Sequence, residues 1–352
     1  MNRFGWPSWA AQAVTIAGGA VGGFGTAALG IPAGWLSGAM FATAALAAVG
    51  VAVPFSTAVR RTALVGSGIA IGSAVTPAML RGLASYPGTL ALMTLAVAGV
   101  TWSGTRLLAR LDGWSRPTAF FASVPGALSY VFTVATETET ADLPRIAVVQ
   151  VMRVFLLMGL VPLLVAETGA PLVAPPSPVV DPLPTLFALI GLGGALGLVL
   201  ERARVAAGMM FGVMIVAAVA HASGLAPGRP PPAFTEAAQI LVGTWVGARF
   251  VGFDWRLLGR SLFASSGSFL VAMAISAVCA GAGSALFRIP FAQALVAFAP
   301  GGLEAMSLLS IALGLDPLFV SAHHLARFIL ISVTLPFVLR RWIAPQRLVA
   351  DA

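Results

Sequence analysis

The sequence contains no lysine, a single cysteine and only three histidines in 352 residues, and 9% of it is charged. Each shortage removes a class of function. A lone thiol, Cys279, cannot close an intrachain disulfide and says nothing about redox compartment. Three histidines and one cysteine fall short of a copper or zinc cluster with recognisable spacing. No Gly-x-Ser-x-Gly elbow and no phosphate-binding glycine loop is present. No catalytic, cofactor-binding or metal-binding residues are therefore expected, and no cofactor. The net charge of +8 rests on arginine alone, and these arginines stand singly or in pairs at the ends of apolar runs. Such scatter is the pattern of membrane-topology signals rather than of a phosphate-binding face, which excludes nucleic acid as an expected partner.

What the sequence does have is apolar length. It is 59% hydrophobic with a mean hydropathy of +0.96, beyond the range of a soluble globular domain. Runs of about 17 to 25 apolar residues, enough to cross a bilayer as helices, follow one another with short connections. The reading is an all-α, polytopic membrane protein with the bilayer as its constant partner. Helices are predicted over 9–30, 33–53, 60–79, 85–108, 117–138 and 143–165, and again over 183–200, 205–223, 236–252, 260–285, 291–312 and 318–339. The first reads as an uncleaved span rather than a signal peptide. Between the sets, "ETGAPLVAPPSPVVDPLP" is too rich in proline to stay helical. The expected organisation is a first membrane repeat over 1–166, a linker over 167–184 and a second repeat over 185–352.

Residues recur between the two sets at an offset of 174 or 175 positions. Gly34 and Gly38 match Gly208 and Gly212; Gly68 and Gly72 match Gly243 and Gly247; Pro125 and Gly126 match Pro300 and Gly301; Asp142 and Arg153 match Asp316 and Arg327. The Gly-x-x-x-Gly pairs permit close helix approach. Arginine placement alternates with the duplication. Arg3, Arg60, Arg61, Arg106, Arg110 and Arg116 mark one set of loops in the first half. Arg202, Arg204, Arg249, Arg256, Arg260, Arg340, Arg341 and Arg347 mark the opposite set in the second, with Arg81, Arg229 and Arg288 dissenting. Two copies lie in opposite directions only if each crosses an odd number of times. The fifth segment of each copy, broken by Pro-Gly, is the candidate that dips in and returns. The expectation is two inverted repeats of about five transmembrane helices plus one re-entrant hairpin each, with both termini cytoplasmic. Twelve spans in parallel repeats are the rival arrangement.

Irregular backbone at membrane depth is tolerated only inside protein or beside a watery cavity, so Pro125, Gly126, Pro300, Gly301 and Gly302 are candidate site residues. Glu304 falls in the first turn after the second break, where it either caps free N–H groups or couples a proton or cation; Ser129 is its neutral counterpart. Arg153 and Arg327 lie deep in the last helix of each repeat. They either neutralise Glu304 and bond hairpin carbonyls, or form an anion-binding pair. Gln150 and His323 or His324 precede them by one turn and share their faces. Asp142 and Asp316 read as N-caps, His221 as a solvent-facing histidine, and Glu137 to Glu139 as a solvated hairpin end.

The stretch "FAPGGLEAMSLLSIALGLDPLFVSAHHLARFILI", with "SVPGALSYVFTVA…AVVQVMRVFLL" and "IPAGWLSGAMFA" earlier in the chain, resembles the AbrB-duplication family of bacterial inner-membrane proteins. The resemblance implies an inner-membrane location. Ser129 departs from it, since an acidic residue is common at that position of the first copy. The family carries two labels, ammonia monooxygenase and AbrB-type regulator, and neither follows from these residues. The favoured expectation is a secondary-transporter-like protein moving a small, anionic or zwitterionic solute with proton or sodium coupling, alone or as a homo-oligomer. A membrane monooxygenase and a membrane-embedded regulatory protein are the alternatives.

Overall fold

The computed structural model of the chain describes residues 6–81, 86–126, 128–136, 138, 140–167, 179–205 and 207–342. The first half forms helices α1 (Ser8–Ala28), α2 (Gly34–Ala48), α3 (Thr57–Ser73), α4 (Pro77–Arg81), α5 (Tyr86–Leu108), α6 (Arg116–Ser123), α7 (Leu128–Thr136) and α8 (Leu143–Glu167). The second forms α9 (Leu183–Arg202), α10 (Gly208–Ala222), α11 (Pro232–Gly247), α12 (Trp255–Phe287), α13 (Phe291–Phe298), α14 (Leu303–Ala312) and α15 (Pro317–Trp342), with a 3-10 turn (Ala248–Phe250) after α11. Among the described residues there is no strand, only an isolated bridge between Val180 and Arg229. Most of the proline-rich linker, residues 168–178, and the acidic Glu137 and Glu139 lie outside the described residues.

Among the described residues, five helices, α5, α8, α9, α12 and the Pro317–Leu335 part of α15, are long and apolar enough to cross a bilayer. The chain is a multi-pass membrane protein. The expected fifth segment of each half is indeed two short helices, α6 with α7 and α13 with α14, separated at Pro125-Gly126 and Pro300-Gly301. Proline lacks the donor and clashes with the preceding turn, so neither helix continues through it. The second helices are shorter than their sequence pattern, 15 residues each. At about 1.5 Å per residue that is roughly 22 Å, less than the ~30 Å hydrocarbon core. In α2 the cause is local. Gly50 takes φ +77°, and Val51 N–H donates back to Leu46 O at 2.9 Å, a left-handed C-terminal stop.

The chain divides into two compact units, each assembled from three separate stretches of sequence. The first holds α1 to α4, the C-terminal part of α8, α9 to α11, α14 and the start of α15. Here α1 packs on α2, α9 on α10, α2 on α11 and α10 on α3, while α3 also contacts α11. Glycine sets the spacing. A Cβ on Gly68 would stand 2.6 Å from Met210 O and one on Gly72 2.5 Å from Met214 O. One on Gly243 or Gly247 would overlap Leu36 O or Met40 O. Only hydrogen fits where backbones touch in this way. Ala33 and Ala207, the residues before α2 and α10, both adopt left-handed φ, +54° and +52°. For a residue with a Cβ that costs on the order of 1 kcal/mol. It is held because Gly34 and Gly208 behind them press on the preceding helix, with room for no Cβ beside Ala27 N (2.6 Å) and Glu201 N (2.7 Å).

In the same unit His221 is not solvent-facing, as its place near a helix end had implied. Its side chain is 4% exposed, and its Nε2 lies 2.9 Å from Asp181 Oδ2. Its Nδ1 faces Ala217 O at 2.7 Å, while Asp181 Oδ1 accepts from Gly228 N–H. A carbonyl only accepts, so Nδ1 carries a proton there, while Nε2 faces the carboxylate. This contact fastens the residues just before α9 to the end of α10. Asp181 lies 40 positions from its partner, a separation at which no sequence pattern pairs a His with an Asp.

The second unit holds α5 to α7, the first part of α8, α12, α13 and most of α15. In it α12 packs against α5 and α13, and α5 against α6, around a core that includes Phe121, Val131, Ile146 and Ile331.

Candidate functional site

Both Pro-Gly breaks are built by the same short-range bonds. In the first, Val124 N–H donates to Phe120 O and Gly126 N–H to Val124 O; in the second, Ala299 N–H donates to Leu295 O and Gly301 N–H to Ala299 O. The tight turn closes α6 and α13 but leaves their last carbonyls without helical partners. Those carbonyls are buried in the second unit, where an unmet acceptor is costly.

The arginines deep in the last helices meet this demand. Arg153 Nη1 and Nη2 donate to Ala122 O, Ser123 O and Val124 O at 3.5, 3.3 and 3.0 Å. Arg327 Nη1 donates to Ala299 O at 2.6 Å, and Nη2 donates to Gly301 O and to His324 Nδ1. One turn earlier, Gln150 Nε2 donates to Phe121 O at 2.8 Å, and His324 Nε2 bonds Val296 O at 3.1 Å. Gln150 and His324 thus occupy matching posts, as do Arg153 and Arg327, 174 positions apart. A helix C-terminus carries a partial negative charge, so a guanidinium there is favourable as well as bonded.

His324 has a defined proton. Val296 O can only accept, which puts hydrogen on Nε2, and Nδ1 accepts from Arg327; the ring is the neutral Nε2–H tautomer. His323 points elsewhere. Its Nε2 lies 2.8 Å from Thr89 Oγ1 on α5, with the Tyr86 and Phe298 rings 5.5 and 5.8 Å away. Of the two adjacent histidines it is therefore His324 that joins Arg327.

The two breaks come together through Arg327. Its Nε lies 3.9 Å from where a Cβ on Gly126 would stand, so the arginine that bonds the second break also abuts the first. Each of the two arginines is 3% exposed. Among the described residues neither forms an ion pair, and Arg153 Nε has no hydrogen-bond partner. Two positive charges and an unused N–H donor are therefore buried at the two breaks, with only carbonyl oxygens and one imidazole nitrogen opposing them. Buried charge that is unpaired in this way is expensive.

Glu304 lies half-buried in the first turn of α14, in the first unit. It makes no capping bond to the helix among the described residues, and its carboxylate acts instead on Arg249 in the turn after α11. Beyond it, Ser307, Ser310 and Ser321 are fully buried and linked, Ser321 Oγ donating to Ser307 Oγ at 2.8 Å. The sequence reading missed these serines, although hydroxyls one turn apart after a broken helix were a visible signal. Ser129 lies in α7, but its side chain is outside the described residues. Asp142 and Asp316 are N-caps, Asp142 Oδ1 accepting from Arg145 N–H and Asp316 Oδ1 from Leu318 and Phe319 N–H. Pro125, Pro300 and Gly301 are buried, while Gly126 and Gly302 are half-buried.

The family model described as transition state regulatory protein AbrB matches residues 35–343, which include both breaks and both arginines. The chain belongs to the AbrB family. A Bacillus subtilis (strain 168) protein, YhjN, is 27% identical to it over 346 residues, covering 90% of this chain and 89% of its own length. An Escherichia coli (strain K12) protein that carries the name regulator AbrB is also 27% identical over 329 residues, 89% of this chain and 91% of its own. These relatives each cover about nine-tenths of this chain, and the family model takes in both repeated breaks rather than one half alone.

Proposed function

We propose that this AbrB-family chain is a secondary transporter of a small anionic solute, with the paired breaks as its binding site. The observation that carries this reading is a pair of buried guanidiniums, Arg153 on the first break and Arg327 on the second, the latter also 3.9 Å from where a Cβ on Gly126 would stand. Each is 3% exposed, and neither forms an ion pair among the described residues. A carboxylate or similar anion would supply the missing counter-charge and take up the Arg153 Nε–H donor. The free N–H groups at the start of α7 offer it further donors. Interrupted helices from two repeats around a polar site are the recurring plan of secondary transporters. Glu304, held in the field of Arg249, is the candidate to couple a proton or sodium ion.

In this reading the halves on either side of the linker are inverted repeats, inserted ten times across a bacterial inner membrane with both termini cytoplasmic. The recurrence of the same turn, the same carbonyl bonds and the same left-handed N-caps at one offset supports two copies of one unit. Alternating arginine loops support the inversion. Single cysteines placed in the linker of a Cys279→Ser background are expected to react with an impermeant reagent from outside whole cells; reaction only after the inner face is opened would overturn the inverted topology.

The solute itself is sought by thermal shift on detergent-purified protein across a panel of small organic anions, cations and neutral metabolites. Stabilisers are expected among the anions, and Arg153→Gln is expected to cut the midpoint shift by at least half. Glu304→Gln should leave that shift in place but remove the pH or sodium dependence of uptake into proteoliposomes. A stabilising anion that acts equally on Arg153→Gln and the parent would remove the arginines from the site.

A further inference from the structure

The second unit contains a cavity of about 870 Å³ that touches the first break only at Val124. Its long wall is one face of α5, where Thr94, Val97, Thr101 and Thr105 follow one another at helical spacing; Phe120 of α6 and Ile331 of α15 close the sides. The lining is mostly apolar, but its charge is not spread along it. Arg106, Arg110 and Arg116 all stand at one end, each exposed, and no acidic residue lines the cavity among the described residues. Trp102 lies next to them, with the Arg106 guanidinium 4.0 Å above its ring.

We infer that this cavity is a binding site for one anionic glycerophospholipid of the bilayer, with its phosphate among the three arginines and its acyl chains along the α5 face. Three features select this occupant. From Thr94 to Arg106 the wall rises about 18 Å at ~1.5 Å per residue, close to one leaflet of a ~30 Å hydrocarbon core. The cationic cluster at one end complements a single phosphate-bearing headgroup, as basic pockets between transmembrane helices do. A tryptophan between arginines and apolar wall is the arrangement expected at the level of the headgroups. A peptide or a soluble metabolite would have no use for an apolar wall one leaflet deep. The assignment does not depend on what the breaks bind.

The test uses the full chain, purified in mild detergent and stripped of lipid, with thermal unfolding read in the presence of phosphatidylglycerol, phosphatidylcholine or inorganic phosphate. Phosphatidylglycerol at ~100 times its dissociation constant is expected to raise the midpoint by roughly 5 °C. The other two additions should move it by less than about 1 °C. The triple variant R106Q/R110Q/R116Q should lose the response. Should that variant fold poorly, Val97→Trp fills the wall and keeps every charge; it too should lose the response, and a lipid adduct seen on the parent by native mass spectrometry should disappear. An equal shift from phosphatidylcholine would reduce the cavity to a general apolar surface, and an equal shift from inorganic phosphate would make it a site for a free anion. Either result, or retention of the phosphatidylglycerol response in Val97→Trp, overturns the inference.

Discussion

Alanine at position 327 is expected to lower the stability of the protein more than any other single change at the breaks, by about 3 to 5 kcal/mol. The Arg327 side chain meets Ala299 O, Gly301 O and His324 Nδ1 at once, and truncation leaves all three acceptors buried and unmet, at about 1 to 3 kcal/mol each. The loss is less than their sum because the mutation also relieves the desolvation of a buried guanidinium. Arg153→Ala should cost clearly less. Its bonds run from 3.0 to 3.5 Å, and its Nε already lacks a partner. Lysine at 327 should recover little of the loss, because a point charge cannot span two carbonyls and a ring nitrogen in one plane. Denaturant or thermal unfolding in detergent gives the order directly. If Arg153→Ala proved the more damaging change, the carbonyl-bonding account of Arg327 would be wrong.

Valine in place of Gly243 is the second large effect expected, and it should prevent accumulation of folded protein. Its Cβ would overlap Leu36 O, and a second neighbour, the Ala39 side chain, stands 3.0 Å away. The obstacle is backbone, so relief requires α2 and α11 to move apart along their whole contact, which forfeits the packing that holds them in the absence of a hydrophobic drive between helices. Gly68→Val should behave alike, for Met210 O stands 2.6 Å from its would-be Cβ. Gly194→Ala serves as the control. Nothing lies within 4 Å of a Cβ there, so it should be neutral or slightly stabilising. Fluorescence-detected size-exclusion profiles of tagged variants separate these outcomes, and a monodisperse Gly243→Val protein at parental yield would refute the close-packing argument.

The residues that break helices were the most legible part of the fold. Pro125-Gly126 and Pro300-Gly301 act through covalent geometry, which needs no tertiary partner to take effect, and the structure stops α6 and α13 just before them. Asp142 and Asp316 act over three residues and were equally readable. What lay hidden depends on the third dimension. His323 and His324 are one residue apart, so they point about 100° apart on the helix. Only the positions of α5 and α13 decide that one meets Thr89 and the other Val296 and Arg327. The partnership of His221 with Asp181 was invisible for the same reason. The length of α2 was misjudged because apolar residues continue past Val49 while the backbone has already turned at Gly50; hydropathy reports what a segment prefers to touch, not where its hydrogen bonds end.

The interleaved makeup of the two units bears on how the polypeptide matures. The first unit draws α14 and the start of α15 from a stretch synthesised when about nine-tenths of the chain has been made, and the second unit draws the rest of α15 from still later. Neither can close while translation is under way, so early helices must wait in the bilayer as separately inserted rods until distant partners arrive. Joining segments so far apart is slow because loop-closure entropy is lost before contacts repay it. The carbonyl ends at 122–124 gain Arg153 about 30 residues later, but those at 299–301 stay unbonded until Arg327 is made near the end of the chain. A nascent chain halted after α13 would therefore carry an open second break and should be a preferred target for membrane quality-control proteases.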